Sequence, residues 1–451
     1  MLSEGGTAAD AVVAATIASC VAESVVVGLA GGGFITYFEA ATGSVTCLDF
    51  FCSVPGVASD REPGPMAPLS ITFGGVPRYY AVGGSTVAVP GIPAGLAEIH
   101  RRWGRLPWQR LVQPSIGLAR TGAVLPHGLA DTLATVYPAL VLGAGAAIYQ
   151  PGGRLLGPGD LLRHDELVPA LDELASHGHR AFYDGPVGAA IAASVQAAGG
   201  VLDLADLADY RVREVPVKTA RLGDATIYAR VDLLDTIGTI AALPRLLGLA
   251  PGPRAVAVAA NLQRYASGPS HTSNISVVDS QGNGCALTLT LGLGSGVWVE
   301  GYGLHLNSML GEGELRTTAL DQSPYAEFRR GERMSSMMTP LVALDDSGQL
   351  LLAGGSAGAS RIRSALLHTL INLFVDGMST ADAIAFPRFH PTPAVLHIEP
   401  GRHPDERNAL KDAGFTLQEW ASRHHYFGTV SAIGTAGAGG DPRRGGVGVL
   451  L

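Results

Sequence analysis

The chain has 451 residues, 60 of them glycine, with only 16% charged residues and a formal net charge of −8. That size removes any difficulty in building a core, and the composition is that of a tightly packed globular protein, which excludes a disordered or fibrous chain. Basic runs do not exceed two or three residues, as in "EIHRRWGR", "EFRRGER" and "DPRRGG", so an acidic chain of this kind presents no broad surface for nucleic acid.

Residues 7–22 carry alanine-rich helical spacing, and "GGGFITYFEAATGSVTCLDFF" then alternates as two strands about a turn at "ATGS". The N-terminal stretch is apolar, but only twelve residues separate Asp10 from Glu23 and no basic segment leads it. Neither a signal peptide nor a membrane span is expected, and a cytoplasmic protein is. "GLAGGG" at 28–33 follows a helix and enters a strand, the reverse of the order a phosphate-binding loop requires, so no nucleotide site is expected there. Helices are predicted over 94–123, 163–197 and 204–209, the second stopped by Gly199 and Gly200. Cys20, Cys47, Cys52 and Cys285 lack metal-like spacing and read as reduced core thiols; no metal or other cofactor is expected.

In "SGPSHTSNISVVDSQGNGCALTLTLGLGSG", residues 267–296, two apolar runs flank "DSQGN", the signature of a hairpin with a glycine in its turn. Centring the turn on Gln281 pairs Asp279 with Asn283 and therefore Thr272 with Thr290. On pattern alone two facing threonines are a strand-stabilising pair, yet their hydroxyls are also close enough to bond each other. Further strands to about 308, around "TPLVALDDSGQLLLAGGS", at "VLHIEP" and at "YFGTVSAIG", with a long helix from about 359 to 376, predict layered α and antiparallel β structure.

Taken together and in order, "GGTAADAVVAATIASCVAESVVVGLAGGGF", "AVPGIPAGL", "AGGVLDLADLADYRVRE", "TSNISVVDSQGN", "GLHLNSMLGE", "MSSMMTP" and "GGSAGASRI" resemble the γ-glutamyltransferase family of N-terminal-nucleophile hydrolases. The resemblance implies an α+β fold, a four-layer αββα sandwich, made as one proenzyme that cuts itself before a threonine. That threonine falls on Thr272, dividing the chain into a large segment, 1–271, and a small segment, 272–451, which together form one domain. Cleavage of the His271–Thr272 bond gives Thr272 an α-amine beside its hydroxyl. With a pKa near 8 such an amine is partly deprotonated at neutral pH and can serve as a built-in base. By the same resemblance Thr290 supports the nucleophile by hydrogen bonding, Gly358 and Ala359 supply oxyanion N–H groups at a helix N-terminus, and Ser335 and Ser336 hold a substrate carboxylate.

The departures concern substrate. The arginine that grips the γ-glutamyl α-carboxylate is expected in "LDFFCSVPG", where Phe51 and Cys52 stand instead. At positions that read the α-amino group, Met309 replaces a glutamine, Glu312 an aspartate, and Gly292 lies near an expected asparagine. A zwitterionic glutamyl group is held by such paired charges, so a substrate other than glutathione and a relatively apolar acyl pocket are expected. Only about two dozen residues join Leu247 to Thr272, where the family has a longer helical segment.

The expected function is therefore that of an autoprocessing acyl hydrolase acting through Thr272. The alternatives are a C–C bond hydrolase serving a 4-alkylproline antibiotic unit, a reaction linked to relatives that lost the glutamyl clamp, and a catalytically silent scaffold. The expected partners are a small-molecule substrate and the two cut segments for each other. A homo-oligomer is compatible with these features, and neither nucleic acid nor membrane is expected.

Overall fold

The computed structural model describes residues 1–73, 76–263, 272–313, 315–316, 319–320 and 322–451. His271, the first residue of the expected scissile bond, lies outside the described residues.

Two antiparallel sheets form the centre. The first runs in the order Ser273–Val278, Gly284–Thr290, Gly32–Glu39, Ser44–Phe50, Arg213–Val215. The second runs Gly437–Gly440, Thr429–Gly434, Leu350–Ala357, Leu341–Leu344, Ala225–Arg230, Val217–Leu222. Side chains alternate faces along a strand, and this alternation builds the layers. Ile35 and Tyr37 join Leu48, Leu287 and Leu289 in a core shared with Val13 and Ile17 of the Ala8–Ala22 helix. Phe38, one step out of phase, meets Val342 and Ala353 of the second sheet. On the far side of that sheet Leu341 and Ala343 pack with Leu366 and Leu370 of the Ser360–Phe374 helix. The result is helix, sheet, sheet, helix: the αββα sandwich.

Two local contacts anchor the elements that carry the site. Thr7 caps the Ala8–Ala22 helix in a reciprocal box with Asp10, and the Ala8 N–H donates to Asp279 Oδ2 at 2.9 Å. The hairpin turn of the 273–290 pair is thereby tied to a helix N-terminus. Between the sheets, Asn274 Nδ2 donates to Ser431 Oγ at 2.8 Å, and its Oδ1 accepts from Thr288 Oγ1 at 2.8 Å.

Two predicted helices are broken. The 94–123 segment is two helices, Ile92–Trp103 and Trp108–Thr121, because Pro107 disfavours helical geometry at the residue before it and has no N–H to give. The 163–197 segment is split into Val168–His177 and Pro186–Ala197 by Gly178, with φ of 66°, and by Pro186, a helix-starting residue. The third helix spans Leu204–Ala208. All four cysteines are free and buried. Among the described residues no group of three or more His, Cys, Asp or Glu is placed to hold a metal ion, and no helix is long and apolar enough to cross a membrane.

Candidate active site

The hairpin has the register that its sequence predicts: Ser273 faces Leu289 and Asn274 faces Thr288. Thr272, one residue before the strand, therefore comes opposite Thr290, which in turn faces Gly32 on the next strand, with Phe51 following the partner of Gly33, Phe50. One row across the sheet thus collects Thr272, Thr290, Gly32 and Phe51. The row is close-packed. A Cβ on Gly31 would lie 2.1 Å from the Thr290 carbonyl oxygen, and one on Gly32 would lie 2.9 Å from Phe51 Cα and 2.8 Å from the Cys52 nitrogen. The glycines of "GLAGGG" serve this approach of backbone to backbone.

Thr272 is 1% exposed, and its Oγ1 is buried without a hydrogen-bond partner. The direct bond to Thr290 suggested by the facing positions is not formed in the continuous chain. Thr290 Oγ1 instead accepts from the Gly292 N–H at 2.9 Å, because the chain leaving the strand turns back at Gly292 (φ 69°). An unpaired buried hydroxyl costs on the order of 1–3 kcal/mol, and here it sits on the residue that the resemblance marks as nucleophile. The backbone of Thr272 is nevertheless held firmly. Arg444 Nη1 donates to its carbonyl oxygen at 3.0 Å, while Ser273 Oγ donates to Glu23 Oε2 at 2.7 Å and Arg444 lies 3.8 Å from that carboxylate. Arg444 is positioned by a buried charge cluster in which Asp441 pairs with Arg388 at 2.7 Å and with Arg443 at 3.1 Å, and Arg443 also meets Glu399.

Gly358 and Ala359 stand where the Leu350–Ala357 strand passes into the Ser360–Phe374 helix. The first N–H groups of a helix have no intrahelical partner, so this corner presents donors. Ala359 is fully buried at φ 55°, ψ −120°, a left-handed conformation that carries strain of order 1–3 kcal/mol in an L-residue with a side chain. Its methyl group clusters with Leu234 and Met337. The "MSSMMTP" segment connects the two sides of the site: the Met334 N–H donates to the Cys52 carbonyl at 3.0 Å, and Met337 reaches Ala359. Ser336 is buried, its Oγ accepting from the Met338 N–H at 3.2 Å, whereas Ser335 is exposed.

Gly292, Met309 and Glu312 converge. A Cβ on Gly292 would come within 2.6 Å of Glu312 Oε1 and 2.7 Å of Met309 Cε, so no larger residue fits there. Glu312 is fully buried, its Oε1 lies 3.5 Å from Ser308 Oγ, and its Oε2 has no partner. Burial raises its pKa to about 8, which leaves the carboxyl mostly protonated at neutral pH. Phe51 and Cys52 are also fully buried; the Phe51 ring stacks on Phe34 at 5.3 Å, and burial pushes the Cys52 thiol well above its usual range. The sequence-predicted residues thus form three neighbouring groups around one end of the inter-sheet space. Glu23, Asn274 and Arg444 were not singled out by sequence. Arg444 sits in "DPRRGG", visible only as a short basic run, and Asn274 sits inside the quoted hairpin motif.

This architecture is that of the N-terminal-nucleophile hydrolases. The solved structure of a cephalosporin acylase from Bacillus halodurans superposes with a TM-score of 0.80 at 20% identity, covering 100% of this chain and 92% of that one. The family profile described as gamma-glutamyltranspeptidase matches residues 1–234 and 251–451, and the chain belongs to that family of hydrolases and acyltransferases. The acylase ACY 1 proenzyme of a Pseudomonas strain is 29% identical over 462 residues, covering 88% of this chain and 81% of the relative. The glutathione hydrolase proenzyme of Escherichia coli is 27% identical over 491 residues, covering 92% and 82%. The gap in the profile match, 235–250, covers the Thr236–Ala241 helix and the residues after it, ending where the short connection from Leu247 to Thr272 begins.

Proposed function

We propose that the chain is a proenzyme which cuts itself between His271 and Thr272 and then hydrolyses an acyl substrate other than a γ-glutamyl compound, with Thr272 as nucleophile. The observation that carries this reading is the buried, unpartnered Thr272 hydroxyl at the head of a strand whose backbone Arg444 holds.

In the first reaction Thr272 Oγ attacks the preceding carbonyl carbon, the peptide nitrogen leaves with a proton as the new α-amine, and water hydrolyses the resulting ester. In the second, the α-amine takes the Oγ proton as Oγ bonds to the substrate carbonyl carbon. The Gly358 and Ala359 N–H groups face the developing oxyanion, and the leaving group departs with the proton. Water then frees the acid and restores Thr272. The segments 1–271 and 272–451 remain one domain because the first sheet draws strands from both.

Loss of γ-glutamyl specificity follows from the pocket residues. An α-ammonium entering beside Gly292, Met309 and a protonated Glu312 meets no fixed negative charge, and desolvating an unpaired ion costs several kcal/mol. Processed protein given γ-glutamyl p-nitroanilide at micromolar concentration is expected to release no appreciable nitroaniline. A vinylogous α-keto acid bearing a pyrroline ring, offered in parallel, separates C–C from amide cleavage. Efficient release from the γ-glutamyl anilide contradicts the substrate reading.

A further inference from the structure

The parity of the 273–290 hairpin fixes where the main-chain groups of Thr272 point. Its turn closes with the Asp279 N–H donating to the Asn283 carbonyl at 3.0 Å, and bonded pairs alternate with unbonded ones along an antiparallel ladder. In the observed register residues 273, 275, 277 and 279 therefore aim N–H and C=O at the neighbouring strand, and 274, 276 and 278 aim theirs at the open edge of the sheet. Two contacts follow this rule. The Asn274 carbonyl accepts from Ser431 Oγ at 2.8 Å, and the Thr272 carbonyl accepts from Arg444 Nη1 at 3.0 Å. In an extended residue N–H and C=O share a side, so the Thr272 nitrogen, the α-amine of a cut chain, faces Arg444. The bond lengths of one residue keep its nitrogen within about 3.6 Å of its carbonyl oxygen, which puts Nη1 within about 7 Å of the amine.

The charges on that side are few. Arg444 Nη2 lies 3.4 Å from Ser273 Oγ and 3.8 Å from Glu23 Oε2, and Ser273 Oγ donates to the same carboxylate at 2.7 Å. A cavity of about 130 Å³ adjoins these groups, lined by Glu23, Ser273, Asn274, Ser431, Asp441 and Arg444, polar and roomy enough for water. Asp441 is spent on Arg388 and Arg443. The rest of the cavity wall comes from the Thr429–Gly434 strand, the start of the His127–Leu140 helix and the turn at Gly445, and it carries no charge. On the other side of Thr272, Thr290 and Gly32 carry none. Among the described residues the amine thus has one cation and one unspent anion beside it, and the cation is the group that grips its own residue.

We infer that Arg444 is the positioning residue of the Thr272 α-amine: it fixes the main chain so that the amine stands beside a guanidinium and stays in its base form, with Glu23 as the counter-charge that limits the effect. The inference rests on the reading of Thr272 as the residue that self-cleavage exposes. A neighbouring cation disfavours an ammonium, so the amine is free to take the Oγ proton and, once protonated, readily passes that proton to the leaving group. The water-sized space on the same side lets the amine exchange protons with solvent away from the substrate.

The test reads the amine itself and needs no substrate. Processed protein is labelled with trace acetic anhydride from about pH 5 to about pH 10, spanning the ordinary α-amine value near 8, and mass spectrometry of the peptide beginning at Thr272 gives the fraction of free base. Wild type is expected to show a midpoint below about 8. Arg444→Gln keeps a donor but loses the charge, and should raise the midpoint by about one unit; Arg444→Lys should keep it low. Glu23→Gln should move it the other way, down by about half a unit. Opposite shifts from two touching residues report charge, which a merely structural role would not produce. No shift in either variant, or shifts of the same sign, overturns the inference. If Arg444→Gln remains one chain, the wild-type midpoint and its fall in Glu23→Gln decide. A gel separates the two readings: a wild type that never cuts itself removes the Thr272 reading and this inference together, whereas one that cuts and shows an ordinary amine midpoint removes this inference alone.

Discussion

Two buried polar regions lie close together in this molecule and are built on opposite terms. In the C-terminal cluster, Arg388, Asp441, Arg443 and Glu399 are almost fully buried, and every charge has an opposite within hydrogen-bond reach. Around Thr272 the buried groups stand apart: a hydroxyl without a partner, a carboxyl with one free oxygen, and an alanine at positive φ. The first region spends its polar groups on each other and so fixes the segment from which Arg444 reaches the Thr272 carbonyl. The second leaves its groups available to a substrate. Unmet hydrogen-bonding capacity held in place by a satisfied neighbour marks a reactive site in physical terms.

Charge removal separates the two regions most sharply. Asp441→Asn leaves Arg388 without its anion, and breaking such a buried pair is expected to destabilise the protein by about 3 kcal/mol or more, read by denaturant unfolding. A loss below about 1 kcal/mol would show that the cluster is not holding the C-terminal segment.

Their pH dependences should also have opposite signs. Burial opposes ionisation of Asp441, but Arg388 and Arg443 outweigh it and hold its pKa below the ordinary value. Its contribution is present above the unfolded-state pKa and is lost as pH falls through the folded one. Glu312 is raised to about 8 by burial, so the folded state holds a proton that the unfolded state has released. Stability from this group therefore declines as pH rises from about 4.5 to about 8, by at most about 1.4 kcal/mol per unit. Glu312→Gln should flatten that decline. An unchanged slope would show that Glu312 is ionised in the folded protein.

The smallest structural effect is expected at Thr290. Thr290→Val removes the oxygen that accepts from the Gly292 N–H and should change stability by about 1 kcal/mol, yet slow turnover tenfold or more, about 1.4 kcal/mol of barrier. Unchanged turnover would remove Thr290 from the site.

What the sequence made legible was local. The 273–290 register follows from a glycine-containing turn between two alternating runs, which fixes every pair from one centre, and the strand-to-helix corner at Gly358 follows from its glycines and from the family motif. The helices predicted over 94–123 and 163–197 are overextended because apolar spacing continues across Pro107 and Pro186 although the backbone cannot. The missing direct bond between Thr272 and Thr290 depends on where the chain turns after the strand, at Gly292, and register is silent on that. The hold of Arg444 on the Thr272 carbonyl was invisible because the two residues lie 172 apart in the chain. The protonated state of Glu312 depends on burial by segments that no spacing rule brings together.

The central claim is that Thr272 becomes a chain terminus. Purified wild-type protein should separate on a denaturing gel into two fragments, and sequencing the smaller should read Thr-Ser-Asn-Ile from residue 272, giving 180 residues to Leu451. Thr272→Ala should remain one folded chain of 451 residues. A wild-type chain that stays intact through long incubation while its circular dichroism shows it folded, or a small fragment beginning at any other residue, would contradict the account.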